Sequence, residues 1–167
     1  MRVKNNICIL LLLLFPLLAA AEKTSGPPVG ETAPNLIGRT LDDQTYRLKV
    51  DKGKPKVINF FWVECKPCVQ EMPELAKLEK QYTGVKFISV HTRDESHATV
   101  LKFLESLPAA PSNIVLTSGG VQQTFQYRGL PHTIVLDSNN VVLLNLSGYT
   151  AANMQRLVKA LQAIPRT

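Results

Sequence analysis

The sequence predicts an α/β domain: a central, mixed but mostly parallel sheet with helices on both faces, closed by an antiparallel hairpin and a last helix. Three observations predict it. Lys56 to Val63 (KVINFFWV) is apolar on both of its faces, as a central strand covered by helices requires. Strand-like and helix-like periods then alternate along the chain, which implies parallel strands joined by crossover helices. Finally, His132–Leu136 and Val141–Leu146 read as two strands joined by the tight polar turn Asp137-Ser138-Asn139-Asn140.

Taken in order, residues 1–21 combine a basic start at Arg2 and Lys4, an apolar run from Ile7 to Leu18 and the small residues Ala19-Ala20-Ala21. This is the pattern of a secretory signal peptide. Retention as a membrane anchor is the alternative, although the run is short of a span and contains Pro16. Cys8 precedes the apolar run and is not read as a lipid-modified cysteine. Residues 22–33, with Thr24-Ser25-Gly26-Pro27-Pro28, read as an exposed, extended linker to a domain over 34–167. Thr45–Val50 alternates as a short strand, and Lys52-Gly53-Lys54-Pro55 makes a turn before the central strand.

Beyond Cys68, Met72, Leu75 and Tyr82 recur at helical spacing, with a kink expected at Pro73 because proline removes a backbone donor. Val85–Val90 reads as a second buried strand, Ser96–Leu107 as a helix, Asn113–Leu116 as a short strand and Gly119–Tyr127 as a short helix. The last helix starts at the N-cap Thr150 and carries Met154, Leu157, Leu161 and Ile164 on one face.

With 167 residues, 45% of them hydrophobic, the chain can bury one good core and not two. Of the formal charge of +6, Arg2 and Lys4 supply two, and the remainder is scattered. No basic patch with interleaved aromatics argues for nucleic acid. Outside the leader only Cys65 and Cys68 remain of three cysteines, so the fold is not stapled and this pair is there for reactivity.

Four chemistries fit Cys65-Lys66-Pro67-Cys68. Structural zinc needs two more ligands, and His91, His97 and His132 stand at no recognisable spacing for it. Inert core thiols fit poorly in a loop that opens a helix. A copper-handling dithiol with one histidine suits an exported protein. A redox dithiol is favoured by position: a cysteine at a helix N-terminus faces unpaired N–H groups and the positive end of the helix dipole, which stabilise its thiolate. Cys65 is then the attacking nucleophile, and Cys68, one turn inward, resolves the mixed disulfide. Lys66 adds a nearby cation. No metal is assigned, and no cofactor, since nucleotide and flavin motifs are missing.

Val57-Ile58-Asn59-Phe60-Phe61, Cys65-x-Pro67-Cys68, Glu71-Met72-Pro73-x-Leu75 and Gly129-Leu130-Pro131-His132-Thr133 together resemble the exported thioredoxin-fold proteins of the TlpA/ResA type, from about Gly30 to the end of the chain. Val29-Gly30-Glu31-Thr32-Ala33-Pro34 is similar to the entry of that family and of peroxiredoxins, but the peroxiredoxin Pro-x-x-x-Thr-x-x-Cys is missing. The resemblance implies a thioredoxin-like fold and a thiol-disulfide oxidoreductase in the periplasm, tethered to the membrane if the leader is retained. It implies a reductase acting on a protein disulfide, as in cytochrome c maturation, recharged by a membrane electron donor and working as a monomer.

By the same resemblance Glu71 relays protons to the dithiol, and Pro131 is a cis-proline packed against it. Leu130 offers its backbone to the substrate chain, beside Trp62, Lys66 and Pro67. The family usually carries tryptophan immediately before the first cysteine; here Glu64 stands there and Trp62 lies two residues earlier. The rival class is a copper-binding chaperone using the same dithiol with His132. Otherwise His132 reads as a surface-loop residue, and His91 and His97 as loop residues without function.

Overall fold

The computed structural model describes residues 25–165, so the expected leader 1–21, Cys8 included, lies outside the described residues. Strands β1 (Ile37–Thr40) and β2 (Thr45–Arg47) come first, followed by a single 3-10 turn at Leu48–Val50. Then follow β3 (Lys56–Phe61), α1 (Lys66–Gln81), β4 (Lys86–His91), α2 (His97–Ser106), β5 (Asn113–Leu116) and α3 (Val121–Phe125). The chain closes with β6 (His132–Leu136), β7 (Val142–Ser147) and α4 (Ala151–Ala163). Among the described residues, no helix is long and apolar enough to cross a membrane.

The seven strands form one sheet in the order β2-β1-β5-β4-β3-β6-β7. Its centre is parallel, β3 with β4 and β4 with β5, and both flanks are antiparallel. The antiparallel part is larger than the sequence suggests, because β1 was not legible and adds a pairing to β5. The crossovers β3-α1-β4 and β4-α2-β5 step in the same direction. Right-handed connections therefore put α1 and α2 on the same face. On that face Val57 packs with Leu75, Leu78, Leu157 and Leu161, and Phe61 packs with Cys68, Met72 and Val100. On the other face Ile58 and Phe60 meet Leu36, Leu48, Val121 and Phe125.

Several expectations are corrected. Thr45–Val50 is not one strand: after Arg47 it turns, and Leu48 is drawn into the core with its N–H on the Leu36 carbonyl at 2.9 Å. Within the segment expected as an exposed linker, residues 28–32 are exposed, but Gly26 and Pro27 are buried, with Gly26 N–H on the Gln126 carbonyl. His91 and His132 are buried strand residues rather than loop residues, at 1% and 0% exposure. His97 is exposed, as the first residue of α2. Helix α1 continues from Lys66 to Gln81 through Pro73.

Candidate active site

The dithiol sits where β3 ends. After Phe61 the chain makes a turn, Trp62-Val63-Glu64-Cys65, closed by Cys65 N–H on the Trp62 carbonyl at 3.1 Å. Cys65 is the N-cap of α1, and its own carbonyl accepts the N–H groups of Cys68 at 3.0 Å and Val69 at 3.3 Å. Pro67 sits within the first helical positions, where its missing N–H costs nothing. Cys65 and Cys68 are joined in a disulfide. The two cysteines are not equivalent: Cys65 keeps 9% exposure, whereas Cys68 is sealed at 0%. Glu64, Lys66 and Pro67 are exposed around it.

Beneath the dithiol lies Glu71, one turn beyond Cys68 and 3% exposed. Its Oε2 accepts from Asn59 Nδ2 at 2.6 Å and its Oε1 from Thr133 Oγ1 at 3.1 Å, while Asn59 Nδ2 also reaches Thr133 Oγ1 at 3.0 Å. Asn59 and Thr133 are paired across β3 and β6, so the sheet register itself builds this cradle. Burial pushes the Glu71 carboxyl up to about 7, against the two hydrogen bonds, which favour its ionised form. The polar exception in the β3 run thus finds partners for its amide nitrogen, while its Oδ1 is buried without one. Thr133 was visible in the sequence only as part of the Gly129–Thr133 match, and no local pattern linked it to Glu71.

On the remaining side, the Leu130–Pro131 peptide bond is cis. Pro131 is buried, and Leu130 is half-buried against the cluster that contains both cysteines. Trp62 is half-buried against that same cluster. Its Nε1 donates to Glu95 Oε1 at 2.6 Å, and the Arg93 guanidinium lies over the ring at 5.2 Å. Neither Glu95 nor Arg93 carried a motif that could have marked it.

His132 does not join the dithiol. It is paired with Phe60 across the strands and so points to the opposite face of the sheet from Asn59, Glu71 and the cysteines. There it stacks on Tyr127, ring centroids 5.3 Å apart, with Nε2 3.4 Å from Asn145 Oδ1. Burial holds its pKa down at about 4. The ligand set of Cys65, Cys68 and His132 considered for copper is therefore not assembled.

A sequence profile of the Redoxin family matches residues 28–155. The chain belongs to the Redoxin family. The thiol-disulfide oxidoreductase ResA of Geobacillus thermodenitrificans is 31% identical over 129 residues, covering 76% of this chain and 73% of that one. The thioredoxin-like protein YneN of Bacillus subtilis is 29% identical over 125 residues, 73% of each chain. Among solved structures, the thioredoxin domain of a thiol-disulfide oxidoreductase from Bacteroides vulgatus superimposes with a TM-score of 0.69 at 23% identity, covering 80% and 96% of the two chains. A secreted disulfide oxidoreductase of Mycobacterium tuberculosis gives 0.63 at 19% identity, covering 77% and 96%. These structures share the thioredoxin fold. This Redoxin-family chain is a thiol-disulfide oxidoreductase of the TlpA/ResA-like kind, with Cys65 and Cys68 as its Cys-x-x-Cys pair.

Proposed function

We propose that this oxidoreductase is an exported reductase of protein disulfides, with Cys65 as attacking thiol, Cys68 as resolving thiol and Glu71 as the proton relay between them. The observation that carries the reading is the asymmetry of the site: Cys65 keeps a little exposure, and Cys68 is sealed one helical turn from a buried carboxyl whose pKa burial brings to about 7. The Cys65 thiolate attacks a substrate disulfide, forming a Cys65–substrate disulfide and releasing one substrate thiolate, which takes up a proton. Cys68 then loses its proton to Glu71 and attacks Cys65 sulfur. The Cys65–Cys68 disulfide forms, and the second substrate thiol leaves with that proton. Two electrons have passed from protein to substrate. A carboxyl near the working pH can both take and return the proton.

Leu130, ahead of Pro131, presents its backbone to the substrate chain, and Trp62, Lys66 and Pro67 line its path. A membrane electron donor restores the dithiol. Export is supported by the leader-like segment 1–21 and by the likeness to a secreted oxidoreductase. Whether 1–21 is removed or retained as a tether, residues 22–33 would lead into the domain 34–167. Maturation of c-type cytochromes is the destination proposed, with the protein acting as a monomer. The Cys65–Cys68 reduction potential tests the direction: a value near about −270 mV supports a reductase, and one near about −120 mV excludes it. In Cys68→Ala, a substrate mixed disulfide should accumulate on Cys65; none forming would remove Cys65 as the attacking thiol.

A further inference from the structure

Glu95 lies in the loop between β4 and α2, outside every motif of the reaction, yet one of its carboxylate oxygens is hydrogen-bonded and the other is buried against a histidine without a hydrogen bond. One oxygen accepts the Trp62 indole N–H at 2.6 Å, and the other stands 3.2 Å from His91 Nε2. His91 is buried at the end of β4, with the Phe61 ring edge-on at 5.4 Å, and Glu95 is the carboxylate that answers it. Arg93 covers the face of the same indole at 5.2 Å. The ring is thereby held at its edge and over its face, and a bond to an ionised acceptor at this length is among the stronger side-chain bonds.

What is held matters for the chemistry. Trp62 is the first residue of the turn that delivers Cys65: its carbonyl accepts the Cys65 N–H, and its indole packs against the cluster containing Cys65, Cys68 and Phe61. An indole free to swing outward would loosen the base of that turn and the wall beside Cys65. We propose that Glu95, backed by His91, is a positioning residue for disulfide exchange: by fixing the Trp62 indole it fixes the turn that delivers Cys65 and the surface a substrate chain crosses beside it. The proposal rests on Cys65 being the attacking thiol. The two fail separately, because trapping on Cys65 in Cys68→Ala does not depend on Glu95.

Trp62 is the only tryptophan of the chain, so indole emission reports on the surroundings of this one side chain. In the full chain, Glu95→Ala is expected to move the emission of the reduced protein to longer wavelength. It should also slow reduction of dithiobisnitrobenzoate by about tenfold, within the range that follows from misplacing a reacting group. Trp62→Phe keeps a ring without the donor and should lose rate by a similar factor. Adding Glu95→Ala to it should then cost nothing further, as expected of residues that act as a unit. Glu95→Gln, which retains an acceptor oxygen for the indole, should restore both emission and rate. Losses that multiply in the double variant, or a glutamine variant as slow as the alanine one, overturn the proposal. Should Glu95→Ala not fold, Trp62→Phe decides: a slowed rate supports the assignment and an unchanged rate overturns it.

Discussion

Glu71 and His132 are buried ionisable side chains on opposite faces of the β3–β6 pair, and burial moves them in opposite senses. Glu71 rises from 4.5 to about 7, so the folded protein keeps a proton that the unfolded chain gives up across that interval. Stability is then full below the unfolded value and is lost as pH rises through the folded one. Glu71→Gln removes that loss. It is expected to exceed the wild type in stability by about 1–3 kcal/mol at about pH 8 and to show no such gain at about pH 5, read by urea unfolding at both. The same variant should exchange disulfides more slowly and lose the rate limb near neutrality, since the amide cannot take the proton of Cys68. A gain of equal size at both pH values would mean that Glu71 ionises as an ordinary surface carboxylate. His132 is depressed from 6.5 to about 4, so its stability is full above the unfolded value and is lost as pH falls through the folded one. His132→Phe preserves the stack on Tyr127 and should shift acid unfolding to lower pH, followed by circular dichroism along an acid titration.

At the scale of elements, what the sequence revealed is what local chemistry controls. Strands β3, β4 and β6 are near-continuous apolar runs, and α4 announces itself through Thr150, whose side chain accepts from Asn153 N–H at 3.1 Å. Thr150→Ala should therefore cost about 1 kcal/mol, seen as a lowered Tm with unchanged exchange rate. Strand β1 was illegible for the converse reason. Ile37-Gly38-Arg39-Thr40 has no apolar alternation, Ile37 is 54% exposed, and the strand is defined by backbone pairing, with the short β2 on one side and with Leu116 and Val115, far along the chain, on the other. Leu48 fits a strand position in the local alternation, but its N–H is claimed by the Leu36 carbonyl, which the local pattern cannot show. The site divides the same way. Cys65 and Cys68 share one helix end and were visible from spacing, and Glu71 through the family resemblance, whereas the Glu71 bond to Thr133 and the Glu95 bond to Trp62 join residues 62 and 33 positions apart. The histidines were misplaced because burial is a tertiary property: one polar residue at a strand end looks the same whether it faces solvent or Phe61.

The whole molecule has a reactive side and a closed side, and the segment 25–33 makes the second. On the face opposite the dithiol, Ser25 Oγ accepts the Arg128 N–H at 3.0 Å, Gly26 N–H reaches the Gln126 carbonyl at 3.1 Å, Asn145 Nδ2 donates to the Pro27 carbonyl, and Gly30 N–H reaches the Val142 carbonyl at 2.8 Å. Gly26 fits there for want of a side chain: its φ is +92°, and a Cβ would stand 2.5 Å from His132 Nε2 and 2.6 Å from Asn145 Oδ1. The segment is thus the lid under which His132 loses its water, and the depressed pKa is the electrostatic record of that packing. A chain beginning at Glu31, compared with one beginning at Ser25, gives up these four bonds. At about 1 kcal/mol net for each, the loss is of order a few kcal/mol and should appear as a clear fall in Tm. His132 should in the same variant titrate back toward its ordinary value, followed through its imidazole proton resonances, because the burial that depressed it has been removed. Gly26→Ala, which strains both the backbone and the contact with His132, should reproduce the stability loss in milder form, by about 1 kcal/mol or more. Disulfide exchange should continue at its normal rate in both variants, since Cys65, Cys68 and Glu71 lie across the sheet. An unchanged Tm together with an unmoved His132 would show that 25–30 does not hold this face closed.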